Sequence, residues 1–182
     1  QVSKRPPWSG GVSWKKDDNQ NPFIVTTCQG DGASLWWPCK DHQYDEPDST
    51  LITVTVPEKL TDVSNGRLRS VVQNPDHTQT FTWFVSQPIN NYCVNLNIAD
   101  YVHFGEKYKG EKGTLDCDYY VLSYNLEKAK QQFREVPRML EALEYWFGSY
   151  PFYEDSYKLV EVPYPGMEHQ SSVTYGNDYK NG

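Results

Sequence analysis

No stretch of the 182-residue chain approaches the ~18 consecutive apolar residues that a membrane-spanning helix requires, so no membrane span is expected. Positive charge is in short supply: 17 Lys and Arg stand against 24 Asp and Glu, a formal net charge of −7. Nucleic-acid backbones are bound through basic faces, and this balance argues against that partner. Cysteine is sparse and scattered. Cys28, Cys39, Cys93 and Cys117 form no C-x-x-C pair, which argues against a metal knuckle or a thioredoxin-like site. Their even number leaves disulfides and buried thiols both open, and the compartment with them; aromatic richness leans toward export. The four histidines, His42, His77, His103 and His169, show no H-E-x-x-H spacing, so no helical zinc pair exists here. A G-x-S-x-G elbow, a phosphate-cradling glycine loop, repeats and low-complexity segments are missing too. The sequence opens on Gln1 without an initiator Met or an apolar leader and stops at Asn181-Gly182, which reads as a piece of a longer protein.

Aromatics are what the chain has in excess, with 14 Tyr, 6 Trp and 7 Phe making 15% of it. Such side chains join an apolar body to a polar tip and suit half-buried sheets and ligand walls. The first two-thirds reads as β. Phe23 to Thr27 is a short strand between Asn21-Pro22 and a Gly-rich turn. Leu51 to Val56 is a β-branched run stopped by Pro57, with Ile52, Val54 and Val56 on one face and Leu51, Thr53 and Thr55 on the other. Asn65-Gly66 is a turn signal before a strand over 68–72, and Asn74 to His77 is another turn before Thr78 to Val85. Residues 93–102 alternate, and a loop at Gly110 to Gly113 precedes a strand at 118–122. Short strands at regular turn spacing predict an antiparallel sandwich or saddle.

The period changes near Ser123. From Leu126 to Phe147 apolar residues recur at helical spacing, with Asn125 as the expected cap, Gly148 as the stop and Pro137 as an internal kink. Lys158 to Val162 is then a strand ended by Pro163 and Pro165. The expected division is residues 1–122 as one β domain and 123–182 as the beginning of a second. The acids Asp41, Asp45, Glu46 and Asp48 miss the EF-hand spacing and read as a solvated loop.

Two segments carry more information. Cys28-Gln29-Gly30 through Trp36-Trp37-Pro38-Cys39-Lys40-Asp41 is an aromatic-walled loop, either a hydrophobic corner or part of a ligand wall. Pro163-Tyr164-Pro165-Gly166-Met167-Glu168-His169 places a carboxylate just beyond a strand end. Trp37-Pro38-Cys39-x-Asp41 and Gly166-Met167-Glu168, with the kinked helix and the strand between them, resemble the aminopeptidase N-like (gluzincin) family of zinc metallopeptidases over nearly the whole chain. The resemblance implies a mainly β, α+β fold: part of an N-terminal β-saddle, then the helix and strand that open a thermolysin-like catalytic domain. It also implies that Glu168, with Gln29 as a second acceptor, binds the free amino terminus of a peptide substrate, and that Gly166 and Met167 offer backbone groups to it. A charge-assisted hydrogen bond to one ammonium is the chemistry such a pair performs. Zinc, its ligands and the catalytic groups are implied for the parent enzyme and lie beyond Gly182, so the chain alone is expected to hold no catalytic or metal residue and to be inactive. Two positions depart from the family motif: Pro165 where Gly is common, and His169 where Asn is usual. His169 brings a group that titrates near neutrality when unperturbed.

Two other readings stand beside this one. In the first, Trp8, Trp14, Trp36 and Trp37 form a stacking surface on a non-catalytic β-sandwich that binds glycan or peptide. In the second, the chain belongs to a scaffold relative without zinc ligands. Partners expected from the enzyme reading are the rest of the catalytic domain and, for the isolated chain, a second copy of itself through the apolar face of the 126–147 helix.

Overall fold

The structure, a computed structural model, describes residues 10–30, 32–40, 42 and 44–180. Apolar–polar alternation builds three sheets. In the first, β1 (Gly11–Lys16), β2 (Pro22–Thr27), β7 (Leu96–Ala99) and β4 (Thr61–Ser64) lie side by side, all antiparallel. In the second, β6 (Thr78–Val85) lies between β3 (Thr50–Pro57) and β5 (Arg67–Gln73). Ile52, Val54 and Val56 turn inward from β3 while Leu51, Thr53 and Thr55 face solvent, as the alternation requires. Phe81, Trp83 and Val85 of β6 are buried.

Asn65-Gly66 makes a corner. The strands on either side of it, β4 and β5, belong to different sheets. Gly66 has φ +75° and a Cβ there would collide with the Phe84 backbone, so only glycine turns the chain at this point. The alternating stretch 93–102 is likewise divided, into a 3-10 turn (Asn91–Cys93), β7 and the start of β8 (Tyr101–Gly110).

The third sheet runs β11 (Gly166–Met167), β12 (Val173–Tyr175), β10 (Tyr157–Glu161), β9 (Gly113–Leu122), β8. Beyond the antiparallel strands of the first two-thirds this sheet is mixed, because β10 pairs in parallel with both β9 and β12. Every residue of β10 is buried, which is how a strand covered on both faces reads. The expected division at residue 122 falls at the end of β9, inside a sheet to which both sides contribute.

Between β9 and β10 the helical segment breaks in two: α1 (Leu126–Gln132), a 3-10 turn (Phe133–Glu135) and α2 (Val136–Phe147). Pro137 sits in the first turn of α2, where its missing N–H has no ladder bond to lose. Asn125 does not cap α1; its amide donates instead to Glu161 Oε1 at 2.7 Å. Gly148 ends α2 as expected, with its N–H on the Glu144 carbonyl and φ +89°. Ala129, Phe133, Val136 and Leu140 pack on Leu115, Tyr119, Tyr157 and Leu159 of the third sheet. The periodic face is therefore covered from Leu126 to Leu140, whereas Leu143 and Phe147, which continue the same spacing, are exposed with Met139, Tyr145 and Trp146. Among the described residues no helix is long and apolar enough to cross a membrane.

A second core gathers Phe23, Val25, Val63, Phe81, Trp83, Ile98 and Tyr101 with Val160 and Val162, so β10 contributes to both cores. Beside it lies Lys158, only 1% exposed. Its ammonium donates to the Gly66 carbonyl and to Ser156 Oγ (3.3 Å) and lies 5.4 Å from the Trp83 ring centroid. Burial pushes its pKa down to about 7, against the pull of Asp118 and Asp155. The folded value lies below the ordinary 10.5, so between those limits the unfolded chain binds more protons and this group's penalty on folding fades as pH rises. The stability difference between wild type and Lys158→Met should accordingly move in favour of wild type from pH 7 to pH 10 in urea denaturation. A pH-independent difference would show that burial does not lower the Lys158 pKa.

Candidate functional site

Glu168 reaches its place through backbone constraints. β10 delivers the chain to Val162, whose N–H binds the Tyr175 carbonyl. Pro163 and Pro165 have no N–H to extend a ladder. Gly166, at φ +118°, pairs with Tyr175 across β11–β12, and a Cβ there would press on the Thr174 carbonyl oxygen. Met167 is half-buried, with its carbonyl accepting from Thr174 Oγ1 at 3.4 Å. The next residue, Glu168, is exposed, and its Oε1 accepts from the Tyr92 hydroxyl at 2.8 Å. Its own backbone N–H, then the Tyr92 phenol, hold the carboxyl below the usual range against some desolvation. Partial burial and the neighbouring Glu168 raise the Tyr92 phenol. Glu168 is therefore a charged, accessible carboxylate at neutral pH.

Gln29 is also exposed, one residue past Cys28. The Cys28 thiol donates to the Tyr92 carbonyl at 3.5 Å, and burial pushes that thiol up to about 11. Tyr92 thus touches the residue beside Gln29 with its backbone and Glu168 with its phenol. No hydrogen bond joins Gln29 to Glu168 directly.

His169 points the other way. It is 1% exposed, and its Nδ1 lies 2.8 Å from Asn95 Nδ2. Asn95 Nδ2 also donates to the Ser172 carbonyl at 3.0 Å, which fixes the amide and makes Nδ1 an acceptor, leaving the proton on Nε2. Burial lowers the imidazole to about 4, against the charge of Glu168. The expectation of a group titrating near neutrality is thus corrected: desolvation keeps His169 neutral.

The aromatic loop packs as a hydrophobic corner and borders a cavity. Trp36 and Trp37, with ring centroids 5.9 Å apart, pack on Val85, Ile89 and Val94. Trp37 and Pro38 also line a cavity of about 320 Å³ with Cys39, Asn91 and Val94. Trp14 is exposed on β1, whereas Trp8 and Asp41 lie outside the described residues. Asp45 of the acidic loop pairs with Lys40 at 2.8 Å.

All four cysteines carry thiols. Among the described residues no group of three or more His, Cys, Asp or Glu could hold a metal ion. His77, just before β6, meets Glu58, just after β3, and His103 on β8 meets Asp118 on β9. The described residues therefore do not by themselves make a zinc centre. Sequence reasoning overlooked Tyr92 and Asn95, and read Asn65 only as part of a turn. The Asn90-Asn91-Tyr92 run was the available signal, because Asn90 Oδ1 accepts from the Tyr92 N–H (2.9 Å) and starts the 3-10 turn.

With a folded pKa below the ordinary 6.5, His169 costs stability as pH falls from about 6.5 to about 4, since the unfolded chain takes up the proton first. His169→Asn should lose less stability than wild type across that window in parallel melts; equal losses would contradict a buried neutral imidazole.

No protein-family model matches the chain. Over 79 residues, 43% of this chain and 6% of the relative, it is 35% identical to transcription initiation factor TFIID subunit 2 of Drosophila melanogaster. Solved structures agree over much more of it. A two-domain M1 zinc metallopeptidase mutant bound to L-arginine superposes with a TM-score of 0.75 over 100% of this chain and 41% of its own, at 18% identity. An M1 zinc metallopeptidase mutant from Deinococcus radiodurans, bound to a Tyr-Ser-Ala substrate, gives 0.74 over 97% and 41%, also at 18% identity. This chain spans about two fifths of the length of those enzymes, and over that span it has the fold of an M1 zinc metallopeptidase.

Proposed function

We propose that the chain is part of a zinc-dependent aminopeptidase and supplies the anchor for the free amino terminus of a peptide, the metal being held by residues outside it. The observation that carries this reading is Glu168: an exposed carboxylate, kept charged and oriented by Tyr92, immediately after a two-residue edge strand. β11 ends the order of its sheet, so Gly166 and Met167 can offer backbone groups to an extended substrate as one more strand would. Gln29, one residue from the Cys28–Tyr92 contact, adds an uncharged acceptor near the same point. An ammonium bound by one carboxylate and one amide is neutralised without surplus negative charge, and fixing that end orients the scissile bond. The solved M1 enzymes with amino-acid and peptide ligands support this substrate class.

The segment shared with TFIID subunit 2 favours a second reading, a scaffold of the same fold without zinc chemistry. A glycan-binding module would instead need Trp14, Trp36 and Trp37 in one exposed row; Trp36 and Trp37 are half-buried in a core cluster, while Trp14 stands on β1.

L-leucinamide titrated into the chain should shift the Glu168 and Gln29 resonances, whereas N-acetyl-leucinamide should not. Glu168→Gln should weaken leucinamide binding by about tenfold or more. Equal response to the free and the blocked amine would sink the anchor. The purified chain should not hydrolyse peptides in excess zinc, and turnover there would place the metal site within these residues. Exposed Tyr145, Trp146 and Phe147 should make the isolated chain self-associate, so a monomeric sedimentation profile at high concentration would count against that partner.

A further inference from the structure

The two acceptors of the proposed anchor come from distant parts of the chain and do not touch, so something must set their spacing. We propose that Tyr92 is the positioning residue that brings them into register. The inference rests on the reading of Glu168 as the amine anchor and assigns the residue that places it.

Three contacts hold Tyr92. Its N–H is capped by Asn90 Oδ1 (2.9 Å), its carbonyl accepts from the Cys28 thiol (3.5 Å), and its hydroxyl donates to Glu168 Oε1 (2.8 Å). The first fixes the 3-10 turn, the second ties that turn to the end of β2 beside Gln29, and the third sets the carboxylate. Packing does not account for this arrangement. Tyr92 belongs to no hydrophobic cluster, whereas Cys93 and Val94, which follow it, pack with Val85 and Ile89. The core thus holds the turn from one side and leaves the phenol at the rim.

His169 supports the phenol from beneath, with ring centroids 5.8 Å apart and the imidazole tied to Asn95. Consecutive residues 168 and 169 are therefore gripped by Tyr92 and Asn95, both from the segment that leads into β7. A carboxylate on a flexible side chain gains a fixed direction from a donor of this kind, and a preorganised acceptor binds an ammonium with less ordering cost. The hydroxyl also stabilises the ionised carboxyl, which keeps the anchor charged at lower pH.

The test uses the whole chain, carrying ¹³C-carboxyl-labelled glutamate, as wild type and Tyr92→Phe, which keeps the ring and removes the hydroxyl. Carboxyl shifts followed against pH should show the Glu168 titration moved upward in Tyr92→Phe. L-leucinamide should bind the variant about fivefold more weakly or worse. The reciprocal variant, Glu168→Gln, should bring the Tyr92 phenol down toward its ordinary value; this arm decides the matter if Tyr92→Phe does not fold. A Glu168 titration that superimposes on wild type, or a Tyr92 phenol unmoved by Glu168→Gln, overturns the proposal. Should leucinamide fail to bind wild type, the anchor reading falls, and the two titrations still decide whether Tyr92 positions the carboxylate.

Discussion

Two buried asparagines hold the parts of this fold in one arrangement. Asn65 donates to the Cys93 carbonyl (2.8 Å) and the Gln170 carbonyl (2.6 Å), while its Oδ1 accepts from the Asn95 N–H (2.9 Å). Asn95 in turn grips His169 and Ser172, and the neighbouring Gly66 peptide is held by Ser171 Oγ at its N–H and by Lys158 at its carbonyl. Most of these groups are buried, and each buried one would carry a desolvation cost of about 1–3 kcal/mol if its partner moved away. Together they hold the 168–172 loop against the β4–β5 corner. Arg67 adds a rim to the same joint, donating to Asp116 and to the carbonyls of Tyr153 and Glu154.

That joint explains how an exposed side chain can have a defined position. Glu168 lies one residue from a buried, fully constrained His169, and its carboxylate meets a phenol carried by the segment that Asn65 and Asn95 also fix. Hydrophobic packing supplies the two large cores on either side of β10 but little direction at the rim. Direction there comes from hydrogen bonds, which are short-ranged and angular where apolar contact is neither.

Much of the strand content could be read from alternation. Phe23, Val25, Val56, Phe81 and Trp83 are buried where period-two patterning places them, and the helical period selects the residues that pack on the third sheet as far as Leu140, after which Leu143 and Phe147 are exposed. Asn125 was the failure at the helix start, because Glu161 competes for its amide from 36 residues away. The Asn65-Gly66 signal correctly marked a turn and could not say that the strands around it join different sheets. The parallel pairing of β10 escaped for the same reason: a five-residue buried run fits either direction, and the partner across the sheet decides.

The residues of the proposed anchor were legible only because Gly166-Met167-Glu168 and the Trp37-Pro38-Cys39 loop resemble a known family; taken alone, Glu168 is one acid among 24 Asp and Glu. Tyr92, one tyrosine of 14, was marked only by the Asn90-Asn91 pair before it, which signals a turn and no chemistry. By itself the sequence determined the strand and helix periods, the glycine corners at Gly66 and Gly148, the acidic balance and the lack of zinc-pair spacing, since each follows from local sterics or from counting. Tertiary structure decided that His169 is neutral, that Lys158 is buried, and that Cys28, Tyr92 and Glu168 meet. Those outcomes depend on which groups remove water from one another across 64 to 92 residues of chain, and desolvation has no local signature in the sequence.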